Sequence, residues 1–142
     1  MTDGRRNWIV FNGEIYNYIE LRRELSPENF STSSDTEVIL AAYRKWGTNC
    51  VNHLRGMFAF AIWDARKQTM LLARDRVGKK PLYYAELQGV LAFGSELKCV
   101  LQHPLMPREL NEQAVADYFT YYYVPAPKTI FKAARKLRAG HY

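Results

Sequence analysis

The residues best equipped for chemistry lie near the start of this 142-residue chain, in the run Asn12-Gly13-Glu14-Ile15-Tyr16-Asn17. An acyl-transfer site needs two N–H donors aimed at one developing negative charge. The Asn12 carboxamide and the Gly13 backbone N–H supply such a pair without any net charge. Glycine lets the chain take positive φ and come close to a ligand. Glu14 sits beside the pair, free to hold an ammonium group. The competing reading is that Asn-Gly is only a turn, the commonest role of that dipeptide.

Positioning this run requires a strand, a sharp turn and a helix. Trp8-Ile9-Val10-Phe11 reads as the strand, Asn12-Gly13 as the turn, and Tyr18 to Leu25 as the helix, opened by Asn17 and Glu20 as a capping box and ended by Ser26-Pro27. A polar loop, residues 31–35, leads into an amphipathic helix ending at Trp46, with Val38, Ala42 and Trp46 on one face and Gly47 as C-cap. Ser34 or Asp35 caps its start, and Glu37 completes a second box. A short helix over 50–54 follows. Met57–Trp63 with Thr69–Ala73, and Leu82–Tyr84 with Val90–Phe93, form two hairpins, the first apolar at nearly every position and so expected to be buried on both faces. Ser95–Leu101 and Asn111–Phe119 are helical, and the Tyr121–Pro127 stretch is an aromatic connector expected to pack on another domain. The boundary falls near Leu105, dividing the chain into 1–105 and 106–142.

Composition narrows the function classes. The chain is 48% hydrophobic and 24% charged, ordinary globular material with enough apolar content for one core. The net charge of +6 is dispersed rather than blocked, so a solvated surface is favoured over nucleic-acid binding. No hydrophobic leader or membrane-length run occurs, and a cytoplasmic location is expected. Cys50 and Cys99 lie in apolar contexts without metal-ligand spacing and read as buried, inert thiols of a reducing compartment, so no metal site is expected. His53 and His103 lack partners at triad or metal spacing and read as structural. Arg74-Asp75-Arg76 with Gly78-Lys79-Lys80 lacks a strand-to-helix phosphate loop and reads as an interface-supporting basic loop.

Taken in order, NGEIYN, SSDTEVILAAY, LRGMFAFAIWD, ARDRVGKKPLYY and FGSELK resemble the glutaminase domain of glutamine-hydrolysing asparagine synthetases, over Ile9 to about Leu101. The tail, LNEQAVADYF and YYYVPAPKTIFKAARKLRAGHY, is similar to the linker into the synthetase domain of that family. It also resembles amidotransferases of exopolysaccharide or exosortase systems. The resemblance implies an α+β fold, the four-layer αββα sandwich of N-terminal-nucleophile hydrolases, here partial and followed by a helical linker. Residues 1–105 are then a partial amidotransferase domain, and 106–142 the linker and the beginning of the synthetase domain.

By the same resemblance Asn12 and Gly13 form the oxyanion hole, while Glu14 and Asp35 bind the α-amino end of glutamine. Ser33 stands where the family usually has Gly. The family nucleophile, an N-terminal Cys whose own amine is the base, precedes the NGEIYN motif by several dozen residues. Only eleven residues precede Asn12 here, and the Arg-Gly-Pro-Asp clamp for the glutamine carboxylate does not occur. The expectation is a fragment truncated at both ends and inactive alone, with Thr2 as a remote substitute nucleophile. The expected parent hydrolyses glutamine and passes ammonia to a domain that uses ATP and Mg²⁺ to amidate aspartate, with a homodimer as a compatible assembly. No cofactor is expected in this chain. The alternatives are an amidotransferase with another acceptor, or a non-catalytic module that keeps the fold.

Overall fold

A computed structural model describes residues 1–4, 6–26 and 29–142. Pro27, expected to end the first helix, and Arg5 lie outside the described residues. Two three-stranded antiparallel sheets form the centre. The first has the order β1-β2-β3, from Asn7–Ile15, Gly56–Asp64 and Thr69–Arg74. The second has the order β5-β4-β6, from Val90–Gly94, Tyr83–Leu87 and Arg135–Lys136.

Helices α1 (Tyr18–Glu24) and α2 (Asp35–Trp46) cover one face of the first sheet. That face is built by alternation along paired strands: Ile9 lies opposite Ile62, Phe11 opposite Phe60 and Gly13 opposite Phe58. Together with Val38, Ile39 and Ala42 of α2 these residues make the larger core. Residues one step along β1 must point the other way. Trp8, Val10 and Asn12, opposite Trp63, Ala61 and Ala59, therefore face the second sheet. That face is only partly covered. Trp8 is 41% exposed, Val10 61% and Met70 38%, so the expected burial on both faces holds for the central strand β2, where Ala59 and Ala61 are buried as well as Phe58, Phe60 and Ile62, and fails at the flanking strands.

The second sheet has its own core, Ala85, Leu87, Val100, Met106 and Ala134, under the short helix α3 (Leu97–Val100). Residues after Leu105 return to this sheet: α4 spans Glu112–Tyr121, Leu110 bridges to Phe131, and β6 pairs with β4. The aromatic stretch after α4 is on the surface, with Tyr122 85% exposed.

Three local expectations are corrected. Asn12-Gly13 is not a turn: β1 runs straight through it to Ile15, because Asn12, Gly13, Glu14 and Ile15 pair in register with Ala59, Phe58, Met57 and Gly56. Asn17 stands at the N-cap of α1 but makes no side-chain cap. Its amide instead donates to His53 O (3.0 Å) and accepts from Arg55 N (2.8 Å), tying the α1 entry to the approach to β2. Ser34 does cap α2, accepting from Thr36 N at 3.2 Å. Glu37 does not complete a capping box, because its carboxylate turns back to Ser31 N, Thr32 N and Thr32 Oγ1, each at 2.7 Å.

Candidate active site

The middle of β1, Val10 to Asn12, forms the wall of a cleft of about 330 Å³ between the two sheets, with Ala59 and Ala61 of β2 on one side and Leu82, Phe93 and Ser95 on the other. Small side chains on β2 leave the space, and its walls are mostly apolar. The polar group of the β1 wall is Asn12. Its Nδ2 donates to Ser95 Oγ at 3.2 Å, immediately after β5, which fixes the amide's orientation across the gap between sheets. Ser95 was read from the sequence only as part of a helix-starting motif. Its contact with Asn12 spans 83 positions, so no local pattern could have revealed it.

Gly13 is required twice over. Its φ is +149°, and a Cβ there would lie 2.1 Å from Met57 O and 2.8 Å from Phe58 Cα. The flexibility expected for a turn is thus used for close approach of two strands. Gly56 has the mirror-image constraint, since its Cβ would lie 2.1 Å from Glu14 O.

Asp35, the first residue of α2, reaches the end of β1 and accepts the Ile15 N–H on Oδ2 at 3.0 Å. A carboxylate is thereby brought next to Glu14, which is exposed and follows Asn12 on the same face of the strand. Ser33 is not among the residues with positive φ, so a serine in the preceding loop fits without strain. Asn12, Gly13 and Glu14 follow one another along β1 and Asp35 is tied to the next residue, Ile15; of the four residues proposed from the sequence, Asn12 alone lines the cleft. The structure places Thr2 elsewhere. Thr2 bridges to Trp8, four strand positions before Asn12, a separation of about 13 Å at the usual rise per residue.

Neither thiol lines the cleft. Cys50 is fully buried, and burial pushes its thiol up to about 12, where a thiolate does not form at neutral pH. Cys99, expected to be buried, is exposed on α3, where it packs near Gly94 of the cleft wall. His53 stacks on Trp46 with ring centroids 3.8 Å apart, and His103 accepts from Leu105 N at 3.3 Å.

One buried carboxylate behind the site was passed over as part of a basic loop. Asp75 has no exposed surface, and it accepts four backbone N–H groups: Phe58 (3.2 Å), Val77 (3.1 Å), Lys79 (2.9 Å) and Lys80 (3.0 Å). Burial pushes its carboxyl up, but those four donors outweigh it and hold the group below the usual carboxylate range. Phe58 is the β2 partner of Gly13, so Asp75 anchors the strand against which the glycine packs. The basic residues beside it bind carbonyls rather than phosphate. Arg74 donates to Lys80 O (2.6 Å), Leu137 O (2.7 Å) and Gly78 O (2.7 Å), and Arg76 to Leu54 O (2.9 Å).

Comparison with known proteins places the whole chain. The chain is 44% identical over 138 residues to a putative glutamine-hydrolysing asparagine synthetase of Mycobacterium tuberculosis, a match covering 93% of this chain and 21% of that protein. It is 43% identical over 137 residues to asparagine synthetase 1 of Bacillus subtilis, covering 94% and 21%. An amidase of Penicillium rubens is 38% identical over 138 residues, covering 94% and 19%. The chain spans about a fifth of the length of these curated relatives. Among solved structures, the glutamine phosphoribosylpyrophosphate amidotransferase of B. subtilis superposes with a TM-score of 0.57 at 25% identity, over 70% of this chain and 24% of that one. That likeness supports the sandwich expected from the resemblance. A family model described as a glutamine amidotransferase domain matches residues 1–142, and the chain belongs to that family.

Proposed function

We propose that this chain is the glutaminase part of a glutamine-dependent asparagine synthetase. The observation that supports the reading is Asn12 on the wall of an apolar cleft, its amide oriented by Ser95, followed along β1 by Gly13 and Glu14 with Asp35 bound at the strand end. When the side-chain amide of glutamine is attacked, its carbonyl oxygen gains negative charge. Donors already in place stabilise that charge without reorganisation. Glu14 and Asp35 are suited to the substrate's ammonium. The nucleophile in this reading is the cysteine with a free α-amine that the family resemblance implies, entering the cleft from outside these residues. Its thiolate adds to the carboxamide carbon, ammonia leaves with a proton from the amine, and water then releases glutamate. Ammonia passes to a synthetase part that uses ATP and Mg²⁺ to amidate aspartate, and a homodimer is a compatible assembly.

The name of the P. rubens relative shows that similar domains occur in proteins not called asparagine synthetases, so another acceptor is the second reading. Supplying aspartate and ATP to the full-length protein separates the two readings by whether asparagine forms. The glutaminase assignment is tested by Asn12→Ala in that protein. Glutamine-dependent kcat is expected to fall about 10²- to 10³-fold with ammonia-dependent synthesis retained. Equal loss of both activities would show that Asn12 only holds the sheets together.

A further inference from the structure

A primary carboxamide carries two N–H groups in one plane, so fixing one of them fixes the direction of the other. In Asn12 one is engaged, since Nδ2 donates to Ser95 Oγ at 3.2 Å. The second has no partner among the described residues, and Asn12 and Ser95 line the same cleft. Ser95 is therefore placed to decide where the free N–H of Asn12 points.

Both ends of this hydrogen bond stand on fixed backbone. Gly94, just before Ser95, pairs with Tyr83 of β4, and Tyr83 pairs on its other side with Lys136 of β6. Helix α3 packs closely here: a Cβ at Gly94 would lie 3.0 Å from Cys99 Cβ, and Cys99 N donates to Glu96 O at 3.0 Å. Asn12 is held from the first sheet, in register with Ala59 of β2. The bond thus joins two ladders, and the aim of the amide follows the spacing between the sheets. Ser95 is not set up as a nucleophile, because its partner is an amide N–H, which cannot take the hydroxyl proton, and no base bonds it among the described residues.

We propose that Ser95 is the positioning residue of the oxyanion site: from the second sheet it holds one N–H of Asn12 and so aims the other at the carbonyl oxygen of the glutamine side chain. The proposal rests on the glutaminase reading and adds to it a group that acts only through Asn12. A donor helps only where charge develops, so a misaimed amide slows the chemistry and leaves glutamine binding alone.

Steady-state glutaminase kinetics of the full-length protein test it, with Ser95→Ala, Ser95→Thr, Asn12→Ala and the Ser95→Ala, Asn12→Ala double variant. Ser95→Ala should lower kcat about tenfold, less than removal of the donor itself, with the glutamine KM within about twofold. Ser95→Thr keeps the hydroxyl and should retain kcat to within about threefold. Once Asn12 is alanine, Ser95→Ala should add less than about twofold, because no amide is left to aim. The proposal is overturned if Ser95→Ala leaves kcat intact or raises KM instead, if alanine and threonine lose rate alike, or if the two single losses multiply in the double variant. Any of these results beside a large loss in Asn12→Ala leaves the glutaminase reading standing. A full-length protein that releases no glutamate from glutamine overturns both.

Discussion

In the proposed function Asp35 combines recognition and architecture in one side chain. Its Oδ2 holds the Ile15 N–H, and Asn at this position keeps an oxygen that can accept the same bond while removing the charge. Asp35→Asn in the full-length protein is therefore expected to raise the glutamine KM with a much smaller change in kcat, because ammonium recognition precedes the chemistry. A fall in kcat alone in steady-state assays would assign Asp35 to the strand end and not to the substrate. Asp75 gives the pH dependence. Its folded pKa is depressed, so its contribution to stability is complete above the unfolded value of about 3.9 and is lost as pH falls through the lower folded value. Asp75→Asn cannot satisfy four N–H donors with one oxygen and should cost about 2 to 3 kcal/mol at pH 7. Denaturant titrations at pH 7 and in the acid range should show the variant's deficit shrinking as pH drops below about 4.

At the scale of elements, what the sequence revealed depended on how far away the partner was. Helix α2 was legible because its apolar period, its Ser34 cap and its Gly47 end are all local. The hairpin of β2 and β3 was legible for the same reason. The end of β1 was not, because Asn-Gly has a strong local meaning as a turn and its actual partner, β2, lies more than forty residues on. Asn17 and Glu37 were misread similarly, each matching a capping pattern while bonding elsewhere. Asn12, Gly13 and Glu14 are neighbours by sequence alone, while the tie of Asp35 to Ile15, twenty residues away, has no local signature and only the family resemblance pointed to it. Arg74 was legible as a charge and not as a clasp. It joins the loop after β3 to Leu137 O, next to the β6 strand, so Arg74→Met should cost about 2 to 4 kcal/mol and loosen the end of the chain first. Hydrogen exchange should then show faster exchange at Arg74 and Gly140, whose N–H groups bond across that junction to His141 O and Asp75 O.

For the molecule as a whole, the described surface carries two apolar regions: the open part of the first sheet around Trp8, Val10 and Met70, and the aromatic end of α4, where Phe119 is 77% exposed. Monomeric proteins rarely leave such groups uncovered. The 142-residue chain by itself is expected to self-associate with concentration in sedimentation experiments, and Val10→Lys should reduce this. A monomer with one sharp cooperative melt would contradict that expectation. The isolated chain is also expected to release no glutamate above a blank, and release that vanishes on Thr2→Ala would reinstate Thr2 as a nucleophile.

The reciprocal glycines restrict how this molecule can change. At Gly13 and at Gly56 the atom in the way is main chain of the opposite strand, Met57 O in one case and Glu14 O in the other. Trimming a neighbouring side chain cannot relieve either clash, and replacing one glycine makes no room for replacing the other. Gly13→Ala and Gly56→Ala should each cost about 3 kcal/mol or more, and the double variant should be no better than their sum. A library randomised at both positions and selected for folding should therefore return glycine at each one independently, a pattern with no covariation despite their closeness across the two strands.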